Sequence, residues 1–102
     1  MRKIVVVPQA AQDIRESLEY LTFSLASPQA AMSLSREIRT TARRLQEFPY
    51  AHELYRGDRP TKEEIRKVPV KGYVLYYVVY EDRVEIRRFL RGRRDRSRPT
   101  GE

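Results

Sequence analysis

The sequence predicts an α+β fold of two layers, with an N-terminal strand and then a helical hairpin packed on a small, mainly antiparallel sheet, in the order β-α-α-β-β-β. Three observations carry that prediction. Residues 2–7 (RKIVVV) form a compact β-branched run; residues 9–48 carry apolar side chains at helical spacing, broken once at Ser27-Pro28; residues 63–90 divide into three β-rich segments of strand length. A chain of 102 residues has room for one modest core, so we expect a single domain over 1–95 and a basic C-terminal tail over 96–102.

Each element follows from its residues. Pro8 closes the first strand, and QAAQDIRESLEYLTFSLAS then places Ile14, Leu18, Leu21 and Leu25 on one helical face, with Asp13, Glu16 and Glu19 turned outward. Ser27 supplies a hydroxyl N-cap and Pro28 takes the first helical position, where no amide donor is missed. The second helix runs to about Phe48 on a buried stripe of Ala31, Leu34, Ile38, Ala42 and Leu45, and Pro49 stops it. So short a break between helices predicts an antiparallel hairpin. The polar stretch PYAHELYRGDRPTK, with Gly57 and Pro60, reads as an irregular connection. EEIRKVPV, YVLYYVVY and RVEIRRFL then alternate with the turn pairs Lys71-Gly72 and Glu81-Asp82, which predicts a meander with residues 73–80 at its centre. One sheet face lies under the helices and the other is left partly bare.

Charge is unevenly placed on this chain. Of the net +7, residues 65–102 hold eleven Lys and Arg against five Asp and Glu, and residues 1–64 hold ten against nine. A field that lopsided attracts phosphates, an acidic protein surface or an anionic membrane, and does not by itself choose among them. With no cysteine, neither disulfides nor a thiolate metal site is available, and a reducing, cytoplasmic setting is the expectation. The apolar runs are too short to cross a bilayer, and MRKIVVVPQ lacks the length and the cleavage site of a signal peptide, so no membrane association is expected.

Few residues suggest catalysis. His52 is the lone histidine and reads as a plain loop residue; Glu63-Glu64 and Glu81-Asp82 read as solvated charge; Gly57 and Gly92 stand alone, so no phosphate loop is present. No metal site or cofactor is implied. The tyrosines and arginines are the stronger signals. Strand alternation sends Tyr76 and Tyr80 to one face and Tyr73 and Tyr77 to the other, one pair packing under the helices and the other available to a partner. On the last strand Val84 and Ile86 point inward and Arg83, Glu85 and Arg87 outward, and Arg91, Arg93, Arg94, Arg96 and Arg98 extend the positive stripe.

The pattern QDIRESLEYLTFSLASPQAAMSLSREIRTTARRLQEFP followed by IRKVPVKGYVLYYVVYEDRVEIRRFLRGRRD resembles the RelE/ParE superfamily of bacterial type II toxin–antitoxin toxins, over about residues 3–95. The resemblance implies the two-layer fold above, a growth-arresting toxin associated with plasmid stabilization, and a cognate antitoxin held in a hetero-oligomeric complex. Its ParE-like branch poisons DNA gyrase and is no enzyme of its own; its RelE-like branch cuts mRNA on the ribosome. The arginine that RelE-like members carry on the third strand falls on Val74, which removes a cation that would stabilise developing phosphate charge. The late RelE-like tyrosine falls near Thr100, and the ending FLRGRRD is closer to the ParE-like pattern. ParE-like action on gyrase is therefore the expectation. Arg87, Arg91, Arg93 and Arg94 are then target-binding, and Tyr73, Tyr76, Tyr77 and Tyr80 antitoxin-binding. The RelE-like alternative rests on Lys67, Arg94 and His52 as catalytic residues. A non-toxic nucleic-acid-binding module is the third reading.

Overall fold

A β-branched run ending in Val7-Pro8 allows no loop between the first strand and the first helix. In the computed structural model, which describes residues 1–57 and 62–92, β1 (Lys3–Val6) passes straight into α1 (Pro8–Glu19), with Pro8 at the first helical position. The helix then widens into one π-helical segment, Tyr20–Ser24. α2 (Pro28–Glu47) starts on the Ser27 hydroxyl, which accepts the Ala30 N–H at 3.3 Å. The strands β2 (Ile65–Val70), β3 (Tyr73–Val79) and β4 (Arg83–Arg91) complete the fold.

The sheet order is β1-β4-β3-β2. The three later strands form the expected antiparallel meander, and β1 joins β4 in parallel from Lys3↔Arg83 to Val6↔Ile86. The helical hairpin links β1 at one edge of the sheet to β2 at the other, so it must cross and cover one face. Leu34 and Leu45 of α2 and Ala10 of α1 close on Val68, Val70, Tyr73, Leu75, Tyr77, Val84, Ile86 and Phe89, all buried.

Several sequence expectations are corrected here. The first helix does not carry its stripe to Leu25, which lies beyond the π-helical segment and is exposed. Asp13 is turned inward rather than outward, at 6% exposure. On α2 the core position belongs to Thr41 rather than Ala42, because the buried residues Ala31, Leu34 and Leu45 fix a face that the 3.6-residue period meets at 41. The connection after α2 is only partly irregular. Leu54 bridges Arg66, the Tyr55 N–H donates to Ile65 O at 2.6 Å, and the Lys67 N–H donates to Glu53 O at 3.1 Å, so residues 53–55 cover the open edge of β2.

β4 also carries a bulge. Tyr77 pairs with Ile86 and Tyr76 with Arg88, which leaves Arg87 as the extra residue. The bulge resets the alternation, so Ile86 and Phe89 both reach the core although an odd number of steps separates them.

Candidate functional site

The sheet face away from the helices is built from long polar and aromatic side chains that satisfy one another. Glu85 stands between two arginines, accepting from Arg83 Nε at 2.8 Å and from Arg87 Nε at 3.0 Å. Arg87 Nη2 also donates to the Tyr80 hydroxyl at 2.8 Å, and the Arg83 guanidinium lies 4.0 Å from the Tyr80 ring centroid. The Arg83 hydrogen bond, helped by Arg87 and opposed by partial burial, holds the Glu85 carboxyl below its ordinary range. Beside this network Tyr55 meets Tyr76 edge-on at 5.3 Å, and Tyr55, Ile65, Tyr76 and Leu90 line a shallow depression rimmed by Arg87 and Arg88.

At the Gly72–Arg91 end of the sheet, two clefts open between the helical hairpin and the strands. One, of about 460 Å³, runs from Asp13, Glu16 and Tyr20 to Tyr73, Leu90 and Arg91. The other, of about 390 Å³, is apolar along Leu21, Leu25, Leu34 and Tyr73 and carries Lys71 and Arg91 at its rim. Tyr20, Phe23 and Leu25 of the helix connection are exposed at the same end. In the lining of the first cleft the Asp13 carboxylate accepts from Arg88 Nε at 2.7 Å, Arg88 Nη2 at 3.2 Å and the Phe89 N–H at 3.0 Å. Burial alone would push this carboxyl up, but Arg88, the Phe89 N–H and Gln9 together outweigh it and hold Asp13 below its ordinary range.

The predicted site residues divide on this frame. Tyr76 and Tyr80 lie on the bare face. Tyr73 and Tyr77 belong to the core, at 8% and 0% exposure, which corrects their placement on a partner surface; only the rim of Tyr73 reaches the two clefts. The Tyr77 hydroxyl donates to Pro49 O at 2.8 Å, and burial pushes its pKa up to about 12. Lys67 stands opposite Tyr76 on the bare face, whereas His52 packs edge-on against the inward-facing Tyr77, so the sheet separates these two candidates. Arg87 is tied into the Glu85–Tyr80 network. Arg91 is exposed at the end of β4. Arg93 and Arg94 lie outside the described residues, as does the boundary expected at residue 95. Sequence reasoning missed Asp13, Arg88 and the clefts. The available signal was spacing: Asp13 follows the fully buried Ala10 by three residues and so shares its face.

Among the described residues, no helix is long and apolar enough to cross a membrane. Comparison with known proteins agrees with the architecture. Among solved structures the chain is similar to one from the chromosomal ParDE toxin–antitoxin system of P. aeruginosa, with a TM-score of 0.72 and 17% identity over 91% of this chain and 98% of that one, a likeness that shows the fold. No curated protein matches. Residues 4–96 match the family described as the ParE toxin of type II toxin-antitoxin system, parDE. That match runs from β1 to beyond the end of β4, and the chain belongs to the ParE toxin family of type II toxin–antitoxin systems.

Proposed function

We propose that this toxin acts in the cytoplasm on DNA gyrase, through Arg91 and the arginines that follow it, Arg93 and Arg94. The observation that carries this reading is how the arginines of β4 are used. Arg83 and Arg87 are committed to Glu85, and Arg88 to Asp13, whereas Arg91 makes no ion pair with any described residue. Along β4 the uncommitted positive charge therefore stands at the strand's end, and Arg87 supports that surface from within its own network. The RelE-like chemistry is poorly served. Val74 pairs with Leu90 and offers no cation on the bare face, and Lys67 and His52 do not converge.

A toxin of this family has a cognate antitoxin, and we place that partner's contact at the apolar cleft of Leu21, Leu25, Leu34 and Tyr73, with Lys71 and Arg91 meeting acidic side chains. Tyr76 and Tyr80 offer it a second, flatter contact on the bare face.

The test is induced expression in bacteria of the wild type and of an Arg93→Ala/Arg94→Ala double variant, with a gyrase supercoiling assay on the purified proteins. The double variant should keep its melting temperature, because the core cluster is complete by Phe89, and should lose both growth arrest and gyrase inhibition. Full arrest by the folded double variant contradicts the reading. Cuts between codon positions on ribosome-bound mRNA, seen by primer extension, overturn the gyrase target.

A further inference from the structure

We propose that Asp13 and Arg88 are a positioning pair that holds residues 89–92 at the end of β4 and so sets the direction in which Arg91 meets the target. The inference rests on the reading that Arg91 takes part in the target contact.

β1 supports β4 only as far as Val6↔Ile86, with one further bond from the Val7 N–H to Ile86 O. Past Ile86 no strand of the described residues lies beside that edge of β4, and the bulge at Arg87 interrupts the pairing with β3 at the same place. Beyond the bulge β4 is paired on one edge only, by β3 from Tyr76↔Arg88 to Tyr73↔Arg91. A strand end held on one edge opens more readily than one held on both and would swing Arg91 with it. Asp13 closes this gap. Because α1 begins directly after β1, its second turn lies over the edge that β1 leaves. The carboxylate takes the Phe89 N–H, which has no strand neighbour to receive it, and grips Arg88 with both oxygens. From the other edge, the Gly92 N–H donates to Gly72 O at 2.8 Å. A Cβ at residue 92 would sit 3.1 Å from that oxygen, so glycine is what lets the chain pass so close. Residues 89–92 are thus pinned from both sides.

The pair is a poor device for stability alone. An ion pair with one buried member adds little over an apolar pair of the same size, and its distinctive contribution is geometry. Arg88 therefore acts as a strut, although it stands in the same arginine run as the residues proposed to bind.

The experiment compares wild type, Arg88→Met, Arg88→Lys and Asp13→Asn by melting temperature, amide exchange at residues 89–92, growth arrest on induction, and inhibition of purified bacterial gyrase on relaxed plasmid. Arg88→Met keeps the stem and loses the fork. It should remain folded, speed exchange at 89–92 by about ten-fold and weaken arrest and inhibition by about ten-fold or more. Arg88→Lys, which can still reach Asp13 with one donor, should recover part of both; Asp13→Asn, which keeps an oxygen for Phe89, should fall between. A merely structural pair would move the melting temperature without this graded order. Full potency in a folded Arg88→Met variant with accelerated exchange overturns the proposal, as does unchanged exchange. If the wild type arrests growth without inhibiting gyrase, the gyrase reading fails and the graded arrest still decides for or against the pair. A wild type that arrests nothing overturns both.

Discussion

Asp13 shows how one inward carboxylate changes the reading of a helix. Its folded-state pKa lies below the ordinary value of 3.8, so the charged form is favoured by folding. The stability it contributes is present in full above the unfolded value, about 3.9, and is lost as pH falls through the folded value. Asp13→Asn should therefore cost roughly 1–3 kcal/mol near neutral pH, through the lost charge opposite Arg88, and the gap to wild type should begin to narrow once the pH falls below about 4. Urea denaturation of both proteins between pH 3 and 7 checks this; a gap that stays constant across the range contradicts it. Tyr77 makes the same point for a neutral group. Its ring is wholly buried and its hydroxyl needs the Pro49 carbonyl, which ties the end of α2 to the centre of the sheet.

At the scale of elements, the two sharpest connections are strained at identifiable positions. The β2–β3 hairpin turns on Lys71 and Gly72 alone, with φ of 46° and 85°, the left-handed pattern of a type I′ turn. Gly72 has open space where a Cβ would stand, so a substitution there acts through the backbone and not through a clash. Gly72→Ala should destabilise by about 1 kcal/mol. The helical hairpin turns through Ala26 at φ 50°, where alanine is the strained residue, and Ala26→Gly should raise stability by roughly 0.5 kcal/mol. Chemical denaturation midpoints of the two variants should move in opposite directions; movement of both in the same direction would show that the turns are not held as described. The π-helical segment before Ala26 is the other irregularity, and it faces the same cleft through Leu21.

For the whole molecule, the decisive property is that charge and apolar surface meet at one end. The excess positive charge lies in residues 65–102, and the two clefts, of which the one along Leu21, Leu25 and Leu34 is apolar, open beside the end of β4, where part of that charge is presented. An antitoxin segment that folds on this end should be acidic, disordered alone, and anchored by apolar side chains. Its binding should raise the toxin's melting temperature with concentration, by mass action. Titration with the cognate antitoxin should give a rise that persists in about 1 M salt, where charges are screened within about 3 Å but packed apolar anchors are not. Complete loss of the rise at high salt would remove the anchored segment and leave a purely electrostatic complex.

The sequence by itself determined the element order, the hairpin turn at Lys71-Gly72, the N-cap at Ser27 and the inward course of Val84 and Ile86, because each depends on local propensity or on a period of 2 or 3.6 residues. It also determined the basic end, since charge can be counted without a fold. Tertiary structure alone decided which tyrosine pair is buried, because alternation separates the pairs but does not say which face the helices cover. It decided the bulge at Arg87, which no local pattern announces, and with it the inward course of Phe89. It also decided the fate of Asp13 and Arg88. An acidic residue on an amphipathic helix reads as solvated until a partner 75 positions away is brought within 2.7 Å, and only chain topology brings it there.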